Sequence, residues 1–226
     1  MRRANLLISS AVALALGLPM AATAADTGPY IGAMVGYSSI DVAKSDWDAA
    51  ALDAFSSVGG TLNSTSLSKN GTAFGVTIGY DYLPNLGIEL SYIDLGKAKG
   101  SADGTAPSAG GTVALHIDGT FKSHGPALAL TGVLPFGQGW TADARVGVFY
   151  GDTAIDLTAS SNGVSASASE SKSTASFMGG VGVGYAFNPN WSVRLDYLYF
   201  NKVGDENTTG QADVNVISLG LRYVFR

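Results

Sequence analysis

The chain has 226 residues, with 13 Lys and Arg against 18 Asp and Glu, and no cysteine. The acidic balance leaves no basic face for nucleic acid. The absence of thiols excludes a disulfide framework, a thiolate metal site, a cysteine nucleophile and a cysteine-linked lipid anchor.

At the N-terminus, Arg2 and Arg3 precede an apolar run from Leu6 to Leu18, which Pro19 breaks before the small residues Ala22-Thr23-Ala24. This is the layout of a secretory signal peptide over residues 1–24, with cleavage after Ala24 as first candidate and after Ala25 as second. The run falls short of the ~20 residues that a membrane-spanning helix needs. Residues 25–226 then form one mature domain. Its excess of acids over bases rises from five to seven, because Arg2 and Arg3 leave with the leader. Every later apolar run is interrupted by glycine, serine or charge.

Those later runs alternate instead. Strands are expected over residues 30–39, 72–82, 86–95, 119–134, 140–151, 176–187, 191–202 and 214–225. The pattern is clearest near the end of the chain. Val181, Val183, Tyr185 and Phe187 face away from Gly180, Gly182 and Gly184. Trp191, Val193, Leu195, Tyr197 and Tyr199 oppose Ser192, Arg194 and Asp196, and Ile217 to Phe225 oppose Ser218, Gly220 and Arg222. Period two is the strand signature. Pro126 lies within the fourth strand and cannot donate to a ladder, so a start just after it is the alternative boundary.

The links between these strands alternate in length. Short ones fall at 83–85, 135–139 and 188–190, and long ones at about 40–71, 97–118, 152–175 and 203–213. Short periplasmic turns, long extracellular loops and apolar faces ending in aromatics describe an outer-membrane barrel, whereas a soluble sandwich gives no reason for the rhythm. Such a sheet must close, because an open edge is intolerable in hydrocarbon. Eight strands enclose a lumen that side chains just fill. The expected fold is all-β: an eight-stranded antiparallel up-and-down transmembrane β-barrel behind a cleaved signal peptide. In the first long link, SDWDAAALDAF reads as a short helix capped by Ser45. In the third, NGVSASASESKSTAS reads as a mobile polar tract.

Inward-pointing charges are expected at Asp81, Glu89, Asp143, Arg145, Arg194, Asp196 and Arg222. In a narrow lumen they must pair, since a buried charge without its partner is costly. The expectation is a static plug network, with an intermittently open polar path as the rival. Tyr30, Trp140, Trp191, Tyr223 and Phe225 read as membrane-interface anchors, with Pro29 beside them. Trp47 and Phe55 are possible contacts for a partner, although packing onto the barrel mouth is the plainer account. His116 and His124 are the only histidines. Ser123 adjoins His124, but neighbours on a strand point to opposite faces. No catalytic, cofactor or metal set is expected.

The segments YIGAMVGYS, FGVTIGYDYLPNLGIELSYIDLG, ADARVG, GGVGVGYAFNPNWSVRLDYLYFNKVGD and ISLGLRYVF, in this order, resemble the OmpA transmembrane-domain family over almost the whole mature chain. The resemblance implies an eight-stranded barrel with a polar, salt-bridged interior and mobile surface loops. Glu89 matches the acidic member of the family's interior charge cluster and Arg194 its arginine. The family's lysine position is Thr131 here, and its alternative acidic position is Gly184. The family also implies a terminal aromatic read by the barrel-assembly machinery; here Phe225 is followed by Arg226. A periplasmic peptidoglycan-binding domain, present in some members, is not expected. The expected function is an integral outer-membrane protein of a Gram-negative cell, with a structural and surface-interaction role and no chemistry of its own. A narrow pore is the alternative, and a lipid-modifying barrel the third reading. Expected partners are outer-membrane lipid and lipopolysaccharide, the assembly machinery through the C-terminal strand, and an unknown extracellular ligand.

Overall fold

A computed structural model describes residues 27–226; the expected signal peptide lies outside the described residues. Nine strands and one helix follow in order: β1 (Gly28–Asp41), α1 (Lys44–Ser57), β2 (Thr61–Ser68), β3 (Asn70–Leu83), β4 (Leu86–Ser108), β5 (Gly111–Phe136), β6 (Trp140–Ser161), β7 (Val164–Ala186), β8 (Trp191–Asp205) and β9 (Gly210–Val224). Each strand pairs antiparallel with its neighbours, β1 bonds to both β3 and β9, and β4 bonds to β5, so the sheet closes on itself. Both β2 and β3 lie antiparallel against β4, β2 opposite residues 99–105 and β3 opposite 86–94. They are two segments of one stave, divided at Lys69, and the barrel wall therefore has eight staves.

The periplasmic turns are tight for local reasons. Between β7 and β8, the Asn188 side-chain oxygen accepts the N–H groups of Asn190 (2.9 Å) and Trp191 (2.8 Å), an Asx turn. Between β5 and β6, Gly137 and Gly139 take positive φ values of 60° and 78°.

The long links differ from expectation. Residues 97–118 and 152–175 are mostly ladder, not loop: β4 and β5 run 23 and 26 residues, and β6 and β7 run 22 and 23. A membrane strand needs only ~9–11, so both hairpins project beyond the bilayer. The serine tract is the distal arm of β7, paired without a register shift to β6 as far as Ser161 opposite Val164. Its Ser/Ala alternation carries little apolar signal, and backbone pairing to β6 is what orders it. β5 also runs straight through Pro126, which pairs with Tyr92 on the β4 side while the β6 ladder skips positions 125 and 126. The missing N–H thus falls where no bond is made. The helix in the first link forms, but Ser45 is not its cap. Ala43 is the N-cap and no side chain bonds there.

The outer wall is apolar between two aromatic rings. Near the turns sit Tyr82, Phe136, Trp140, Tyr185, Trp191 and Phe225, and toward the hairpins sit Tyr37, Phe74, Tyr92, Tyr150, Phe177 and Tyr197. Eight residues separate Phe177 from Tyr185, or ~26 Å of strand, which with tilt matches an apolar band of ~25 Å.

Candidate functional site

The lumen is built in layers. At the periplasmic end, Arg222 bonds Asp81 and lays its guanidinium 3.6 Å from the ring centroid of Tyr30. The Tyr30 hydroxyl donates to Glu89 Oε1 at 2.8 Å. Next comes a cluster drawn from three staves. Glu89 on β4 forms an ion pair with Arg145 on β6 at 3.4 Å and accepts a hydrogen bond from Arg194 on β8 at 3.2 Å. Arg145 also reaches Asp143 (3.2 Å) and Asp196 (2.9 Å), while Arg194 bonds Asp143 and reaches Asp196 at 3.3 Å. Three arginines thus face four carboxylates, all largely buried. Gly180 and Gly182 leave the room: a Cβ at Gly182 would stand 2.2 Å from the Asp196 carboxylate, and one at Gly180 2.9 Å from a backbone oxygen of β8.

All seven charged positions expected in the lumen therefore face inward, and six touch through this ladder of ion pairs or through Tyr30 and Glu89. Asp81 joins through Arg222. Below the cluster a cavity of about 180 Å³ opens at the periplasmic mouth between Trp140, Asn188, Asp143 and Arg222. A second, of about 30 Å³, lies beside Tyr30, Glu89 and Arg145 and has room for one water molecule.

Above the charges the lumen is filled mainly by apolar side chains. Ile93, Leu95, Ala127, Phe149, Met178, Leu198, Phe200, Val203, Val214 and Val216 pack into one buried cluster. At its centre the Phe149 and Phe200 rings meet edge to face at 5.3 Å. The polar, salt-bridged interior that the resemblance implied is found in the periplasmic half, and the apolar cluster fills most of the other. The same inward stripe carries both halves: on β8 it reads Arg194, Asp196, Leu198, Phe200.

The remaining expected positions fall elsewhere. Trp140, Trp191 and Phe225 stand on the outer wall, and Tyr223 packs against Trp191 (4.9 Å) and Phe225 (5.0 Å). Tyr30 does not belong with them, since it is 2 % exposed and points into the lumen. Phe55 and Trp47 are not exposed contacts either. Phe55 is fully buried with Ala51 and Ala102, and Trp47 rests on Gly100 and Gly119 and donates to the Ser101 carbonyl at 3.3 Å. Both fasten α1 to the projecting β4–β5 sheet. Ser123 is buried, receiving a bond from Thr153 at 3.0 Å. His124 lies on the outer face beside Tyr92, with ring centroids 6.2 Å apart. His116, far up the β4–β5 hairpin, bridges Asp103 (2.6 Å) and Asp118 (3.2 Å).

Residues 24–226 match the OmpA-like transmembrane domain. The chain belongs to that family. Outer membrane protein A of Serratia marcescens is 30 % identical over 96 % of this chain and 56 % of its own length. That of Shigella flexneri is 27 % identical over 96 % of this chain and 55 % of its own. The chain thus spans about half the length of these relatives. Among solved structures, OprG of Pseudomonas aeruginosa is similar at 14 % identity, with a TM-score of 0.44 over 89 % of this chain and 98 % of that one. The chain is an OmpA-like β-barrel of the outer membrane.

Proposed function

We propose that this OmpA-like barrel serves the outer membrane as a sealed wall element and presents its projecting hairpins to the outside, with no chemistry of its own. The observation that carries this is the stacking of an apolar layer on a paired charge layer. Water and ions meet an apolar plug above the arginines, so conduction is blocked twice. What remains functional in such a molecule is its exterior: the lipid-facing belt and the hairpins, where loops on rigid scaffolds ordinarily carry recognition. Buried Ser123 and outward His124 point to opposite faces, which argues against a serine–histidine pair. Lipid and lipopolysaccharide at the belt, an extracellular ligand at the hairpins, and the assembly machinery at the strand ending in Phe225 are the partners this reading assigns.

The test is a deletion strain complemented with the full chain or with a chain whose β4–β5 and β6–β7 hairpins are cut back to the upper aromatic ring. The short version should restore envelope resistance to detergent but not binding of cells to surfaces or host proteins. A large, steady single-channel conductance of the purified barrel in planar bilayers would overturn the reading in favour of a pore.

A further inference from the structure

The charges of the lumen do not sum to zero. Asp81, Glu89, Asp143 and Asp196 face Arg145, Arg194 and Arg222, so four carboxylates meet three arginines and one negative charge is in excess among the described inward residues. Tyr30 donates to Glu89 but brings no charge. A charge held away from bulk water without a partner is costly.

Bare oxygens mark where the excess can be met. Asp81 bonds Arg222 through Oδ2, and its Oδ1 has no hydrogen-bond partner. Asp143 takes both Arg145 and Arg194 on Oδ1, and its Oδ2 is likewise bare. Both aspartates are only 7 % exposed, and both line the cavity of about 180 Å³ at the periplasmic mouth. A third bare oxygen is Thr131 Oγ1, on a residue 4 % exposed. The ladders set Asp81 opposite Gly87 and Gly87 opposite Thr131, so the three share one inward row. A Cβ on Gly87 would press on Asp81 Oδ1 and stand 2.9 Å from Thr131 Oγ1 and 3.1 Å from the Tyr80 carbonyl oxygen. Because the residue is glycine, a carboxylate, a hydroxyl and a carbonyl oxygen converge with no side chain between them. Arg194 and Arg222 also line the cavity, but their terminal nitrogens are spent on the carboxylates and only Nε is bare. Arg226 lines it too, at an exposed position where salt and water screen charge.

We propose that this mouth binds one monovalent cation from the periplasm, held by Asp81 Oδ1, Thr131 Oγ1 and the Tyr80 carbonyl, with Asp143 Oδ2 facing the same cavity. Oxygen donors of this kind suit hard cations. A single charge balances the lumen, whereas a divalent ion would ask for roughly six or more oxygens. The cavity has room for about six waters, so the ion can enter from the periplasm and keep part of its hydration. The apolar layer above the arginines stops it from going further, which makes this a site of binding and not of conduction.

The test is equilibrium urea unfolding of the full mature barrel in phosphatidylcholine vesicles, with sodium or potassium chloride exchanged for tetraethylammonium chloride at constant total salt. A cation bound only by the folded state stabilises it by mass action. Above the Kd, the unfolding constant of wild type should fall about tenfold for each tenfold rise in sodium or potassium. Thr131→Lys sets an ammonium beside Asp81 and should lose this dependence while staying stable in tetraethylammonium. Asp81→Asn removes the excess charge and should lose the dependence as well. Ser218→Ala removes a bare buried hydroxyl that does not line the cavity, and should keep it in full. In detergent micelles, sodium NMR lines should broaden with wild type, sharpen again on adding potassium, and stay sharp with Asp81→Asn. Should Thr131→Lys fail to fold, Asp81→Asn and the line widths decide alone. Wild-type stability indifferent to the cation would overturn the proposal and leave a proton or water at the bare oxygens. So would a dependence that follows the anion, or one that Asp81→Asn retains.

Discussion

Replacing Arg194 by alanine removes at once the donors to Glu89, Asp143 and Asp196, and leaves those three carboxylates with Arg145 and Tyr30. A buried charge stripped of its partner costs about 3–5 kcal/mol. The urea midpoint of Arg194→Ala in lipid vesicles should fall accordingly. Tyr30→Phe removes one neutral donor from Glu89 and should cost less, about 1–3 kcal/mol. A second residue-scale effect lies outside the membrane. The hydrogen bond that the His116 ring donates to Asp103 and the charge of Asp118 raise the pKa of half-exposed His116 above its usual 6.5. A raised histidine contributes stability that is full below the unfolded pKa and lost as pH climbs through the folded one. Amide exchange at the β4–β5 tip should therefore quicken as pH rises past that midpoint, and Asp103→Asn should flatten the dependence. Strand parity made Arg194, Asp196 and Arg222 legible as inward residues, because each shares its face with small or polar neighbours. Tyr30 is the exception on β1. Its aromatic side chain near a strand end suggested an interface anchor, but Ile31, Ala33, Val35 and Tyr37 form the outward stripe and leave Tyr30 with Gly32 and Met34 inside.

At the scale of elements, period two located every stave but not how far each one runs. Above the membrane both faces of a hairpin meet water, so the apolar alternation fades while backbone pairing continues. Residues 152–175 consequently looked like loop. The distinction changes what can be removed. Cutting Asp156 to Ser169, whose ends are cross-strand partners, shortens the hairpin in register and should leave folding yield in detergent gels unchanged. Cutting Ser160 to Ser173 removes partners from one side only and strands residues 152–159 of β6, so that yield should drop. The belt below tolerates length no better than charge. Leu195 is 57 % exposed on the lipid face, and arginine there costs ~2–4 kcal/mol at mid-membrane. Leu195→Arg should accumulate in the unshifted, heat-insensitive gel form. The bulges at Asp94/Lys97 and Phe200/Val203 were not legible at all, since no residue pattern fixes where a ladder gains a residue.

For the whole molecule, the question is what closes the lumen. A reading confined to charges makes Arg194 the obstruction and expects its loss to raise conductance. The barrel argues otherwise, because the layer above it needs no arginine. Phe149, Phe200, Leu198 and Met178 are each 2 % exposed or less, and carrying an ion past them means stripping its hydration in an apolar medium, at many kcal/mol. That layer was present in the sequence all along, in the change from Arg194 and Asp196 to Leu198 and Phe200 along one stripe, and in Val214 and Val216 above Ser218. Parity sorts inside from outside and is silent on how the inside changes with depth. The two accounts part company in planar bilayers. Arg194→Ala should lower stability yet leave conductance at the wild-type level, since the apolar layer stays intact. The double substitution Phe149→Ala and Phe200→Ala keeps every ion pair but opens the apolar layer, at about 3–5 kcal/mol for each ring lost. Brief openings should then appear, and adding Arg194→Ala to that background should lengthen them. Conductance that rose with Arg194→Ala alone would mean that the charges, and not the apolar layer, hold the barrel shut.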